Sequence, residues 1–291
     1  MYGAIAANKR NTVLIMAVFI GIISAIGYFA SLYFGNTSIT LWVIAGAAVY
    51  ALIQYYAASK LAVAMTGAQP IEKKDNPRLY RIVENLSIAT GMPMPKVYII
   101  DDPAPNAFAT GRDPKHAIVA ATTGLMEIMD DNELEAVMAH ELGHVQNYDI
   151  RVSMIAFGLV SAIGFLSDMI LHMFFFSDSD NRIIPPYFYV IGIVLIVLAP
   201  VMAAIIQMAI SRQREYLADA TGAMTTRHPE GLASALEKLR DFGQPMKNQS
   251  TSTAHLFFSN PLKKGFFSGL FSTHPPLDER IARLRKNADK F

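Results

Sequence analysis

Met138-Ala139-His140-Glu141-Leu142-Gly143-His144 is the stretch of this chain best equipped for chemistry. Four residues apart on a helix, His140 and His144 present their rings to one point, which suits two neutral imidazoles on a catalytic zinc ion. Glu141 lies about 100° around the helix from His140, beside the metal rather than on it. There its carboxylate can take a proton from a water that the metal polarises. The five letters alone also fit a surface helix with solvated histidines, so the surrounding sequence decides.

A helix is well specified there. Asp130 caps its start, with Glu133 as the reciprocal partner of a capping box. Leu134, Val137, Met138 and Leu142 recur near helical spacing and give it an apolar face. Upstream, Asn76-Pro77 opens another helix and Gly91 ends it, with Leu79, Tyr80, Ile82, Val83 and Leu86 on the buried side. Lys96–Ile100, Ala107–Thr110 and 116–120 read as short strands, with a turn at Gly111-Arg112-Asp113-Pro114. An exposed strand edge could hold an extended peptide through main-chain hydrogen bonds. Asn106, Ala107, Phe108, Ala109 and Thr110 are the candidate edge, although strands that merely fill a core would look the same.

Charge distribution excludes a wholly soluble protein. The chain has 291 residues, 52% of them hydrophobic, and a formal charge of +1. No charged residue occurs from Asn11 through Ser59, and within that run 12–34 and 41–58 are each long enough to cross a bilayer as a helix. Gly35-Asn36-Thr37-Ser38 forms the turn of this hairpin. A second pair is expected at 152–176 and 183–210, the former interrupted by Asp168 and His172. Those two residues fit the interfacial end of a span or a second polar site within it. Lys9, Arg10, Lys60, Lys73, Lys74, Arg151 and Arg212 flank the spans on one side, and Arg182 alone lies in the loops on the other. By the positive-inside rule both termini and the histidine motif are cytoplasmic. A cleaved signal peptide fits less well, because the first apolar run is too long and a second follows at once. The chain is thus divided into a transmembrane hairpin (1–59), a first soluble part (60–151), a second transmembrane pair (152–210) and a second soluble part (211–291). The absence of cysteine excludes thiolate ligands and disulfides. Basic residues are scattered without interleaved aromatics, which argues against nucleic acid.

A zinc of this type needs a third protein ligand and an open position. Just beyond the fourth expected span, Glu215 and Asp219 are four residues apart and share a helix face. Glu215 could ligate zinc while Asp219 holds a ligand histidine through its other ring nitrogen. Taken alone, an acidic helix facing water is the better account of this pair. The order of motifs changes that: two spans, H-E-x-x-H, two spans, then Glu215-Tyr216-Leu217-Ala218-Asp219. Asn106-Ala107-Phe108-Ala109-Thr110-Gly111, Thr122-Thr123-Gly124-Leu125 and Thr273-His274-Pro275-Pro276 with Glu279-Arg280 add to it. Over nearly its whole length the chain resembles the HtpX-type membrane zinc metallopeptidases, relatives of the CAAX prenyl proteases.

That resemblance implies an α+β, mostly helical protein: a zincin-like metallopeptidase domain on an anchor of about four transmembrane helices. It implies one Zn²⁺ per chain on His140, His144 and Glu215, with Glu141 as general base and Asp219 behind the ligands. Asn106–Thr110 looks like the family's substrate strand, and His274 is similar to a histidine near its metal. A plain histidine preceding the Pro275-Pro276 helix start remains the alternative for His274. The implied partners are polypeptides, misfolded or damaged membrane proteins, and the lipid bilayer, with cleavage on the cytoplasmic side of the inner membrane. The aromatic segment 255–271 fits a lid over the cleft or a loop packed on the anchor. A non-catalytic membrane adaptor would normally lack a ligand or the base, and none is missing. An intramembrane protease would carry its motif in an apolar span, whereas Asp130, Asp131, Glu133, Glu135 and Asp149 flank this one. A transporter is suggested by the four spans alone.

Overall fold

The computed structural model describes residues 2–156, 158–159, 161–162, 212–247, 256–259 and 275–290. The expected fourth span, the third beyond residue 162, Asp168, His172, His274 and most of the aromatic segment 255–271 lie outside these residues. The chain clusters into two units: Met1–Lys9 with Ser59–Met154 and Ile210–Phe291, and Arg10–Ala58 with Ile155–Ala209.

Two long helices lead the chain, α1 (Tyr2–Phe34) and α2 (Ser38–Thr66). Both outrun the expected spans, and Ser38 already belongs to α2. Gly35 turns the chain between them at φ 64°, a conformation in which a Cβ would be strained. Their apolar windows have mean hydropathies of 2.3 and 1.5, enough to cross a bilayer. Only 22% and 17% of those windows is buried, so they are not core helices of a soluble domain. Val13, Phe29, Leu41 and Trp42 stand exposed along them. Where they meet, a Cβ on Gly27 would lie 2.7 Å from Val43 Cγ1, so this approach requires glycine.

The other unit is built on a four-stranded sheet, with β1 (Gln69–Pro70), β2 (Lys96–Ile100), β3 (Ala107–Thr110) and β4 (Ile118–Thr122) in the order β1-β2-β4-β3. β2 and β4 are parallel; β3 pairs antiparallel with β4 and forms one edge of the sheet. The third strand was expected at 116–120 but begins at Ile118, because Pro114–His116 forms a 3₁₀ turn capped by the Asp113 carboxylate. Helix α3 (Pro77–Thr90) starts as expected: the Asn76 side chain accepts from Leu79 N–H at 2.9 Å, and Gly91 closes the helix at φ 66°.

A short α4 (Thr123–Ile128) leads into α5 (Asp131–Gln146), which carries the histidine motif. Arg78 braces this junction by donating to the carbonyls of Met126 and Met129, each at 2.7 Å. The capping box is complete: Glu133 N–H donates to Asp130 at 2.9 Å, and Asp130 N–H to Glu133 at 2.8 Å. Glu133 also accepts from Ser234 (2.5 Å) and Lys238 (2.6 Å) on α7 (Pro229–Phe242). Helix α5 runs through the core and is buried on nearly every side, not on one apolar face. Two further helices are α6 (Arg212–Thr226) and α8 (Leu277–Lys286).

Candidate metal centre

Small residues set the distance between α5 and α6. A Cβ on Gly143 would touch Thr221 and Ala218 at 3.4 and 3.5 Å, and one on Gly222 would meet His140 N at 3.0 Å. That approach brings Glu215 on α6 to His140 and His144 on α5. The ring nitrogens His140 Nε2 and His144 Nε2 are 3.1 Å apart. Glu215 Oε2 lies 3.8 Å from the first, and Oε1 3.5 Å from the second. Ligands at zinc–nitrogen and zinc–oxygen lengths in a tetrahedral site stand about 3.3 Å apart, so the three groups are spaced as a metal would hold them.

The protons agree with that fit. His140 Nδ1 lies 2.9 Å from Asp219 Oδ1, and His144 Nδ1 lies 3.0 Å from Asp149 Oδ2. A carboxylate only accepts, so each Nδ1 carries a hydrogen, and the Nε2 of each ring is the atom turned toward the other ring. A proton on His144 satisfies this contact in the absence of metal, and a cation bound between the two nitrogens would take its place. The group His140, His144 and Glu215 could therefore hold a metal ion, and carboxylates behind both histidines are the usual support of such a site.

Arg280 lies beneath, with no exposed surface. Its Nε donates to Asp219 Oδ2 at 2.9 Å and its Nη2 to Oδ1 at 2.7 Å, a two-point clamp from α8 to α6. Tyr216 hydroxyl donates to Glu279 at 2.5 Å on the same pair of helices. The Asp219 carboxyl is held far below the usual carboxylate range: burial opposes ionisation, but Arg280 and His140 outweigh it. Burial lowers His140 to about 4 and keeps that ring neutral. Burial would lower His144 too, but Glu215 and Asp149 push it up to about 9. The surroundings of His144 thus favour positive charge where the two rings converge. Glu141, 2% exposed, is raised to about 7 chiefly by burial, and its carboxylate accepts from Ala109 N–H on β3.

The strand edge near Glu141 is not open. Asn106 through Thr110 are all buried. The chain's own segment 256–259 lies along the outer side of β3, with Phe257 bridging antiparallel to Phe108. Phe258 N–H donates to Ala107 O at 2.8 Å, and Asn106 exchanges hydrogen bonds with Ser259 at 2.8 and 3.0 Å. The Phe258 ring packs edge-on against His140 at 4.8 Å and under Arg280 at 4.8 Å.

The structure therefore gathers His140, Glu141, His144, Glu215 and Asp219, and sets β3 against Glu141. Three contributors escaped the sequence reading. In the sequence Asp149 reads only as a flanking charge, because five residues after His144 it leaves the helical stripe; Tyr148, at φ 63°, turns it back. In the sequence Arg280 stands out only as part of a motif, yet it sits beside Ile281 on the buried face of α8. Phe258 falls in the aromatic segment 255–271, whose reading as a lid over the cleft or a loop on the anchor did not single out this ring.

Comparison with known proteins agrees with this geometry. The profile of peptidase family M48 matches residues 73–288. A protease HtpX homolog of Tropheryma whipplei (strain Twist) is 57% identical over 291 residues, covering all of both chains. One from Lactobacillus helveticus is 43% identical over 300 residues, covering 98% of this chain and 99% of the relative. Among solved structures, Ste24p of S. mikatae superposes with a TM-score of 0.50 at 19% identity, covering 98% of this chain and 67% of that one, a likeness of fold.

Proposed function

The chain belongs to peptidase family M48, and we propose that it is a membrane-anchored, zinc-dependent endopeptidase that cleaves misfolded or damaged membrane proteins on the cytoplasmic side. The observation that carries the metal assignment is the convergence of His140 Nε2 and His144 Nε2, 3.1 Å apart, on the Glu215 carboxylate. His140, His144 and Glu215 are the ligands in this reading. Zinc bound there supplies Lewis-acid polarisation and lowers the pKa of water toward neutrality.

The chain's own groups do the rest. Asp219 and Asp149 hold the two imidazoles in the tautomer that offers Nε2. Glu141 accepts the proton of the attacking water as its oxygen bonds to the peptide carbon, then delivers that proton to the amine as the C–N bond breaks. A pKa raised to about 7 suits a group that must both take and give a proton at neutral pH. Ala109 N–H orients the carboxylate while it does so. His274 is proposed to stabilise the developing oxyanion or to close the site as a further ligand.

Substrate is proposed to pair with Asn106–Thr110 in extended form, along the edge now met by 256–259; the segment stands at Ala107 where a substrate strand would. The proposed layout keeps 60–151 and 211–291 as one peptidase domain, with spans in 1–59 and 152–210 and both termini cytoplasmic. The test is chelation and reloading. Stripping metal from the purified protein is expected to abolish cleavage of an unfolded polypeptide, with stoichiometric zinc restoring it to wild type and not to Glu215→Gln. Undiminished cleavage after complete chelation would overturn the proposal.

A further inference from the structure

His144 is supported from an unexpected quarter. The carboxylate behind it, Asp149, offers Oδ2 to the ring at 3.0 Å and keeps Oδ1 for another partner. That partner is Asn8, near the N-terminal end of α1 and 141 residues away in sequence. Its side-chain nitrogen donates to Asp149 Oδ1 at 2.6 Å and to the Asn147 carbonyl at 2.9 Å, so both amide hydrogens are committed to the turn after α5. Asn8 is 4% exposed and Asp149 likewise 4%, so water does not substitute readily for either bond.

The next residue grips the same turn. Lys9 Nζ lies 4.7 Å from the centroid of the Tyr148 ring, and Arg151 meets that ring at the same distance. Tyr148 is the residue whose positive φ brings Asp149 back toward His144. The Asn8–Lys9 pair thus holds both the turn and the carboxylate that the turn delivers. Arg214, from α6, approaches Asp149 Oδ1 only to 3.8 Å.

We propose that Asn8 is a positioning residue of the metal centre: by fixing Asp149 it sets the orientation of His144, and so how tightly the centre holds zinc. An amide suits this post. It restrains one carboxylate oxygen without neutralising the charge that the other presents to the imidazole. The N-terminal segment then belongs to the working site as well as to the anchor. The inference rests on the reading of His144 as a ligand, and the size of the effect follows from what loss of an outer-shell partner does to metal affinity, about 10- to 100-fold.

The test uses the full-length chain with a C-terminal tag, in detergent and loaded with zinc, and follows zinc transfer to a chelating dye. Asn8→Leu, which removes both donors at similar volume, is expected to speed release about 10-fold and to alter the absorption of the Co²⁺-substituted protein. Asp149→Asn is expected to speed it at least as much. Because Asn8 acts through Asp149, the double variant should release zinc within about twofold of Asp149→Asn alone, not at the product of the two effects. Asn8→Gln, which keeps the donors one methylene further out, carries the test should Asn8→Leu not fold, with release expected to be faster than wild type. Wild-type release from the folded Asn8 variant, or multiplied effects in the double variant, would overturn the proposal while leaving the zinc site standing. A wild-type protein that binds no zinc would overturn both.

Discussion

Burial does opposite work on two adjacent residues. It keeps the His140 ring neutral, as a ligand must be, and it raises the Glu141 carboxyl toward neutrality, as a proton carrier requires. Asp219 stays charged in the same interior because Arg280 grips both of its oxygens. Removing one partner of a buried pair strands the other charge, at a cost of about 3–5 kcal/mol. Arg280→Met is therefore expected to lower the thermal unfolding midpoint and to shed metal. Arg280→Lys keeps the charge but not the planar fork, and is expected to hold zinc more weakly than wild type in the same dialysis. Wild-type zinc retention in both variants would remove Arg280 from the support of the site. His140, Glu141 and His144 were legible in sequence because their relation is one helical turn. Asp219 and Arg280 stand 61 positions apart, and that separation left no local trace of their pairing.

Among the elements, the α5–α6 contact governs the metal distances. An alanine Cβ at Gly222 would press on the backbone of His140 at 3.0 Å, where neither helix can yield by rotating a side chain. Gly222→Ala is expected to widen the gap between Glu215 and the histidines, reducing zinc occupancy more than it reduces helix content. Occupancy equal to wild type, measured by metal analysis beside circular dichroism, would contradict that. Element ends were readable where side-chain chemistry specifies them: the Asp130–Glu133 box, the Asn76-Pro77 start and the Gly91 stop all stand where capping rules put them. The pattern did not reveal that α5 is buried nearly all round, since alanines and glycine make it close-packed without making it strongly apolar. Nor did it reveal that 256–259 lies on β3, a pairing between segments some 150 residues apart.

At the scale of the molecule, two helices long enough to cross a bilayer accompany a group of side chains that could hold a metal ion. The absence of cysteine allows a clean test of the proposed orientation. Asn36→Cys, in the turn after α1, is expected to react with a membrane-impermeant maleimide added outside intact cells, and Lys290→Cys only after lysis. The reverse pattern would invert the topology and place the zinc site on the other face. His140, His144 and Glu215 are proposed to hold one zinc, and Glu141 to move the proton. Bound zinc and cleavage of an unfolded protein, measured side by side on detergent-purified wild type and Glu141→Gln, test it most directly. The expected result is equal zinc, near one per chain, with cleavage by wild type alone. Cleavage by Glu141→Gln at the wild-type rate, or wild-type protein that cleaves while holding no zinc, would contradict the account.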